Sequence, residues 1–138
     1  MELDVLAFAA HRDDIELTCA GTLIKMADYG YKTGIVDLTA GEMGTLGSAE
    51  IRAKEAARAA QIMNLTVRDN LGLPDGNIQV TPENVVKIVT VIRKFHPKVL
   101  ILPWEDRHPD HTNTGLLVAE AAYKSGLAKL DTGQPHYR

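Results

Sequence analysis

The sequence predicts an α/β protein: a doubly wound parallel sheet with helices on both faces, in three layers. Three observations predict it. Short apolar runs alternate with helix-spaced amphipathic segments four times over. The runs are continuous rather than alternating, as in strands covered on both faces. Two clusters rich in histidine and aspartate each follow such a run directly, where strands of this fold class meet their ligands.

Leu3 to Ala9 is the first strand, and Ile15 to Tyr29 carries apolar residues at Ile15, Cys19, Ala20, Leu23, Ile24 and Ala27, a helical spacing that stops at Gly30. Lys32 to Leu38 reads as the second strand, followed by a glycine-punctuated loop, Thr39 to Thr45. A helix from about Ala49 to Met63 leads to a short strand at Val67 to Leu71. Thr81-Pro82 is a strong helix start, threonine as N-cap and proline at the first helical position, and Val85, Ile88, Val89 and Ile92 form its apolar stripe. Lys98 to Leu102 is the fourth strand. A last helix runs from about Thr112 to Ser125, with Gly126 as C-cap.

Right-handed crossovers between such units build a Rossmann-like sheet in which the first and fourth strands are neighbours. Both polar clusters, Ala10-His11-Arg12-Asp13-Asp14-Ile15-Glu16 and Arg107-His108-Pro109-Asp110-His111, then fall at the carboxyl ends of those two strands. That position was no part of the strand assignment, and it joins the clusters into one expected site.

Composition narrows the ligand. A chain of 138 residues is one domain with room for a core. With 45% apolar and 24% charged residues and a net charge of −3, it has no basic footprint for nucleic acid or anionic membrane, so the expected partner is a small molecule. No apolar run reaches the length of a membrane span, and Glu2 and Asp4 stand where a basic leader would, so a cytoplasmic location is expected. Cys19 is the single cysteine, which precludes an internal disulfide.

The clusters suit a divalent ion. A hydrolytic zinc site typically uses three His or carboxylate ligands and keeps one position open for water. His11, Asp14 and His111 can supply that set. Asp13 can take a proton from water, His108 can face a substrate carbonyl, and Asp110 can orient it. Plainer readings exist for each: Asp13 or Asp14 as a helix cap, Glu16 as the partner of Asp13 in a capping box, and His-Pro-Asp as turn chemistry. Cys19 reads as core, His96 as a turn residue, and Trp104 as a crevice wall or a substrate platform. The Gly41 to Gly44 loop lacks any phosphate-binding fingerprint.

Ala-His-Arg-Asp-Asp-Ile-Glu resembles the Ala-His-Pro-Asp-Asp-x-Glu signature of the LmbE-like, or PIG-L, zinc-dependent N-acetylglucosaminyl deacetylases. His108-Pro109-Asp110-His111 resembles their second signature. Asp37-Leu38-Thr39, Gly41-Glu42-Met43-Gly44, Arg52 with Glu55, and Asn70 to Gly76 fall in the family's order, and the branch most resembled deacetylates N-acetylglucosaminyl-malate in bacillithiol biosynthesis. The resemblance implies zinc held by His11, Asp14 and His111, other divalent metals such as Fe2+ being compatible with the donors. It implies Asp13 as general base, and His108, supported by Asp110, as the group that stabilises the tetrahedral intermediate or protonates the leaving amine. Arg52 and Asp75 would bond sugar hydroxyls, Glu42, Met43 and Gly44 would wall the pocket, and the assembly would be a homo-oligomer.

Two departures from the family stand out. Arg12 replaces a proline that would hold His11 extended, and the chain is expected to lack the family's usual C-terminal part, which includes an oxyanion-donating tyrosine. The loss of one such donor costs about 10² to 10³ in kcat. A metal- or sugar-binding remnant without catalysis is therefore the alternative to an enzyme.

Overall fold

The computed structural model describes residues 1–138. Its elements are β1 (Val5–Ala9), α1 (Asp14–Thr18), α2 (Ala20–Asp28), β2 (Thr33–Thr39), α3 (Ala49–Ile62), β3 (Val67–Leu73), α4 (Pro82–Phe95), β4 (Val99–Ile101) and α5 (Pro109–Ser125). All strand pairs are parallel, in the order β3-β2-β1-β4. The predicted doubly wound sheet is present, with β1 and β4 adjacent and Ala7 in register with Ile101.

The pleat of β1 divides the core. Leu6 and Phe8 join Val36 and Leu38 under α4 and α5, burying Val85, Ile88, Val89, Ile92, Leu117 and Val118. Val5, Ala7 and Ala9 point the other way, with Ile35, toward Ile15, Leu23 and Met63. β1, lined on both faces, has no polar side to offer, which explains its unbroken apolar run, whereas the edge strand β3 carries Arg68, Asp69 and Asn70.

Strand ends shift by one or two residues from expectation, and two helices differ more substantially. The single helix expected over 15–29 is broken at Cys19, whose φ of −142° and ψ of 18° leave the helical region. The Thr18 hydroxyl donates to the carbonyl of Asp14 at 2.7 Å, a back-bond that bends helices at such positions. The last helix begins at Pro109, three residues earlier than expected, because proline suits the first helical position and the His108 ring caps it by accepting from Asp110 N–H at 3.1 Å. Asp110 and His111 therefore ride on the first turn of α5, not on a loop. Thr81 caps α4 as expected, accepting from Asn84 N–H. No helix is long and apolar enough to cross a membrane.

Candidate metal centre

Three imidazoles converge at the carboxyl ends of β1 and β4. Ring centroids lie 4.8 Å apart for His11 and His108, 5.3 Å for His11 and His111, and 4.9 Å for His108 and His111. The turn after β1 brings in His11 and Asp14, and the first turn of α5 brings in His111. Gly115 lets α5 come this close: a side chain there would collide with the Pro103 carbonyl in the segment after β4.

Hydrogen bonds decide which ring nitrogens remain open. His11 Nε2 lies 3.0 Å from Asp110 Oδ2 and 3.1 Å from Asp75 Oδ1. Carboxylates only accept, so the proton of neutral His11 belongs on Nε2, and Nδ1 turns its lone pair toward Asp14, 3.7 Å away. His111 Nδ1 lies 2.5 Å from Asp106 Oδ2, which places its proton there by the same reasoning. His111 Nε2 is then a lone pair facing Asp14 Oδ1 at 3.2 Å, buried and without a hydrogen bond. A lone pair aimed at a carboxylate oxygen is repulsive unless a proton or a metal cation lies between them. Ligand atoms about 2.0–2.2 Å from a tetrahedral ion stand roughly 3.3–3.6 Å apart, a span that the 3.2 and 3.7 Å separations bracket.

Two groupings bring three ligand atoms within 4.8 Å of one another: His11, Asp14 and His111, and His11, His108 and Asp110. The first fits an ion better. In the second, Asp110 is 1% exposed and already satisfied, its Oδ1 accepting from Ile78 N–H at 3.1 Å and its Oδ2 from Gly76 N–H at 2.8 Å. Asp110 therefore has the geometry of the outer carboxylate that orients a ligating histidine and raises its basicity.

Charge follows this arrangement. The Asp14 carboxylate, against the opposing effect of burial and with help from Asp110 and Asp75, pushes His11 up to about 9. Burial alone would raise Asp14 and Asp110. For Asp14, the His11 side chain and the His11 N–H outweigh it; for Asp110, the Ile78 and Gly76 N–H groups and His11 do. Both carboxyls end below the usual range. Without an ion, a proton on His11 takes the cation's place.

Of the remaining expected residues, Asp13, Met43, Gly44, Arg52, Asp75 and His108 border a cavity of about 270 Å³ beside His11, and Glu42 does not line it. Asp13 occupies the cap position of α1 but makes no side-chain capping bond, and it is exposed toward this cavity. Arg52 donates from Nη2 to the Leu46 carbonyl and lies against Gly44, where a side chain would strike the guanidinium. Asp75, expected to meet sugar hydroxyls, has one oxygen on Met43 N–H at 2.8 Å and the other against His11. Glu42 accepts from Asp75 N–H at 3.2 Å, so the 41–44 loop is laced to the 74–76 turn. Asp110, expected to support His108, meets that ring only through its backbone N–H, while its carboxylate serves His11.

Sequence reasoning missed Asp106 and misread Glu16. Asp106 stands five residues before His111, a spacing that signals nothing without the helix cap between them. Glu16 pairs with Arg68 across the fold rather than with Asp13. The available signal was Arg68 itself, a charge within a strand. Trp104 is 80% exposed, Cys19 packs at the edge of the smaller core, and His96 ends α4 at φ 44°, stacked on Tyr137.

A parallel α/β sheet that gathers His11, Asp14 and His111 at a strand crevice, beside an unpaired carboxylate, has the donor set of a candidate hydrolytic metal centre. The chain belongs to the PIG-L family, described as GlcNAc-PI de-N-acetylase, whose pattern matches residues 6–122. It is 34% identical to the diacetylchitobiose deacetylase of Thermococcus kodakarensis, over 92% of this chain and 52% of that one. It is 31% identical to a Bacillus anthracis protein described as a probable N-acetyl-alpha-D-glucosaminyl L-malate deacetylase 2, over 87% and 59%. The solved structure of the conserved protein TT1542 from Thermus thermophilus superposes with a TM-score of 0.95 at 44% identity, covering 99% of this chain and 62% of that one. The chain thus spans about half to three-fifths of the length of these relatives.

Proposed function

We propose that this chain is a zinc-dependent deacetylase that hydrolyses the N-acetyl group of an N-acetylglucosamine conjugate, with N-acetylglucosaminyl-malate as substrate. The observation that carries the reading is the buried, unbonded His111 Nε2 facing Asp14, next to a cavity edged by the free Asp13 carboxylate. Two relatives named as deacetylases of N-acetylglucosamine compounds support the reaction class. The malate conjugate is favoured by Arg12 and Arg52, whose guanidinium groups bond only the carbonyls of Ala49 and Leu46 and border one cavity of about 420 Å³ that shares Asp13 with the site.

His11, Asp14 and His111 would hold the ion, which supplies Lewis acidity and lowers the pKa of water from 15.7 to about 7. Asp13 accepts the proton as water attacks the acetyl carbonyl. His108 has Nδ1 committed as an acceptor, so its proton sits on Nε2, from which it donates a hydrogen bond to the developing oxyanion. Asp13 then returns its proton to the nitrogen as the C–N bond breaks, leaving acetate and a free glucosamine amine.

The test is zinc analysis of the purified chain with acetate release measured on N-acetylglucosaminyl-malate and on diacetylchitobiose. Zinc and acetate together, with Asp13→Asn keeping the zinc and losing the acetate, are the expected result. Zinc without acetate from either compound favours the binding remnant, and release from diacetylchitobiose alone replaces the substrate.

A further inference from the structure

One buried guanidinium ties the turn after β1 to three other parts of the fold. Arg68 lies on β3, two strands away from β1, with its side chain 8% exposed. Its Nε and Nη2 grip both oxygens of Asp37 on β2 at 2.9 and 3.1 Å. Its Nη1 pairs with Glu16 on α1 and reaches the Ala56 carbonyl of α3 at 3.3 Å. Nη2 also donates to the Arg12 carbonyl at 2.6 Å. That carbonyl belongs to the peptide between His11 and the Asp13-Asp14 pair. Within the turn, the Asp14 N–H to His11 carbonyl bond is long at 3.4 Å. The other link is His11 N–H donating to Asp14 Oδ2 at 2.9 Å, a bond to a side chain that leaves the Arg12 peptide to be held from outside.

We infer that Arg68 is a positioning residue of the metal centre: locked by Asp37 and Glu16, its guanidinium holds the Arg12 carbonyl and with it the spacing of His11 and Asp14. The inference rests on the metal reading above. Only a planar fork can serve a bidentate carboxylate, a second carboxylate and a carbonyl at once; the single ammonium of lysine keeps one ion pair and drops the rest. Arg93 offers a matched control. It is buried still more deeply, at 3% exposure, but bonds the carbonyls of Ser125, Leu127 and Leu130, away from the site.

The experiment titrates zinc against a chromophoric chelator, and Co(II) by visible absorption, in the unmodified chain, R68K and R93K, with urea unfolding of each. R68K is expected to bind zinc about 10- to 100-fold more weakly, as outer groups of metal sites do when altered, and to change the position and intensity of the cobalt bands. R93K is expected to lose stability yet keep both readouts. Unchanged affinity and spectrum in folded R68K, or equal losses in R68K and R93K, overturn the inference. If R68K fails to fold, Glu16→Gln loosens the same guanidinium: weaker zinc binding sustains the inference and unaltered binding overturns it. An unmodified chain that takes up no zinc overturns the metal reading itself, a result distinct from zinc uptake that is indifferent to Arg68.

Discussion

Replacing Asp110 by asparagine isolates the part of the site where folding and metal binding share one carboxylate. Asp110 Oδ1 accepts from Ile78 N–H, and Oδ2 accepts from Gly76 N–H while facing His11 Nε2, all in a position 1% exposed. An amide has a single acceptor oxygen. Whichever way it turns, its NH₂ meets a backbone N–H, so at least one buried donor loses its partner. The cheaper orientation gives up the bond to Ile78, at about 2–3 kcal/mol for a charged hydrogen bond and the donor left unsatisfied. With a urea m-value of about 2 kcal/mol/M, the unfolding midpoint should fall by about 1–1.5 M. The oxygen still facing His11 is neutral, so His11 becomes a poorer ligand and zinc should bind about 10- to 100-fold more weakly. Asp110→Asn is measured by urea unfolding of the metal-free chain and by chelator competition. A midpoint within about 0.3 M of the unmodified chain, or zinc affinity within about twofold, would refute the dual role.

Three further outcomes are expected. His111→Ala should leave the chain folded and without stoichiometric zinc by metal analysis, whereas His108→Ala should keep its zinc; the reverse pattern would move the ion to the His11, His108 and Asp110 grouping. His11 sits at about 9 instead of 6.5, chiefly through Asp14. Its stabilisation of the metal-free chain is therefore complete below pH 6.5 and disappears as pH rises through 9. Zinc must displace that proton, so its affinity should weaken by up to about tenfold per unit as pH falls from 9 toward 6.5; a zinc titration flat across that window contradicts the protonated His11. Gly115→Ala drives a methyl into the Pro103 carbonyl, which is backbone and cannot swing aside, so a loss of about 1–3 kcal/mol in thermal unfolding with weakened zinc binding should follow. An unshifted melting curve would show that α5 has slack.

The strands and the pairing of the first with the fourth were readable because they are local apolar runs: Val5 to Ala9 is unbroken and buried throughout, and Val99 to Leu102 is apolar although β4, at the sheet edge, stays partly exposed. The capping signals at Thr81-Pro82 were local in the same sense. The break at Cys19 was not, since the Thr18 back-bond competes with a periodicity that still says helix. The early start of α5 hid behind turn chemistry, because proline in His-Pro-Asp serves a turn and a first helical residue equally well.

For the site, the sequence alone determined which residues carry donor side chains and that their two clusters follow neighbouring strands, because residue type and strand periodicity are local properties. Only the tertiary structure decided how they divide the work. It turned Asp110 and Asp75 toward His11 Nε2, set Asp106 behind His111, and sent Arg68 from β3 to the carbonyl of Arg12. Those pairings join residues 5 to 99 positions apart. Which nitrogen keeps a free lone pair depends on what touches the other one, and one-dimensional spacing holds no record of that.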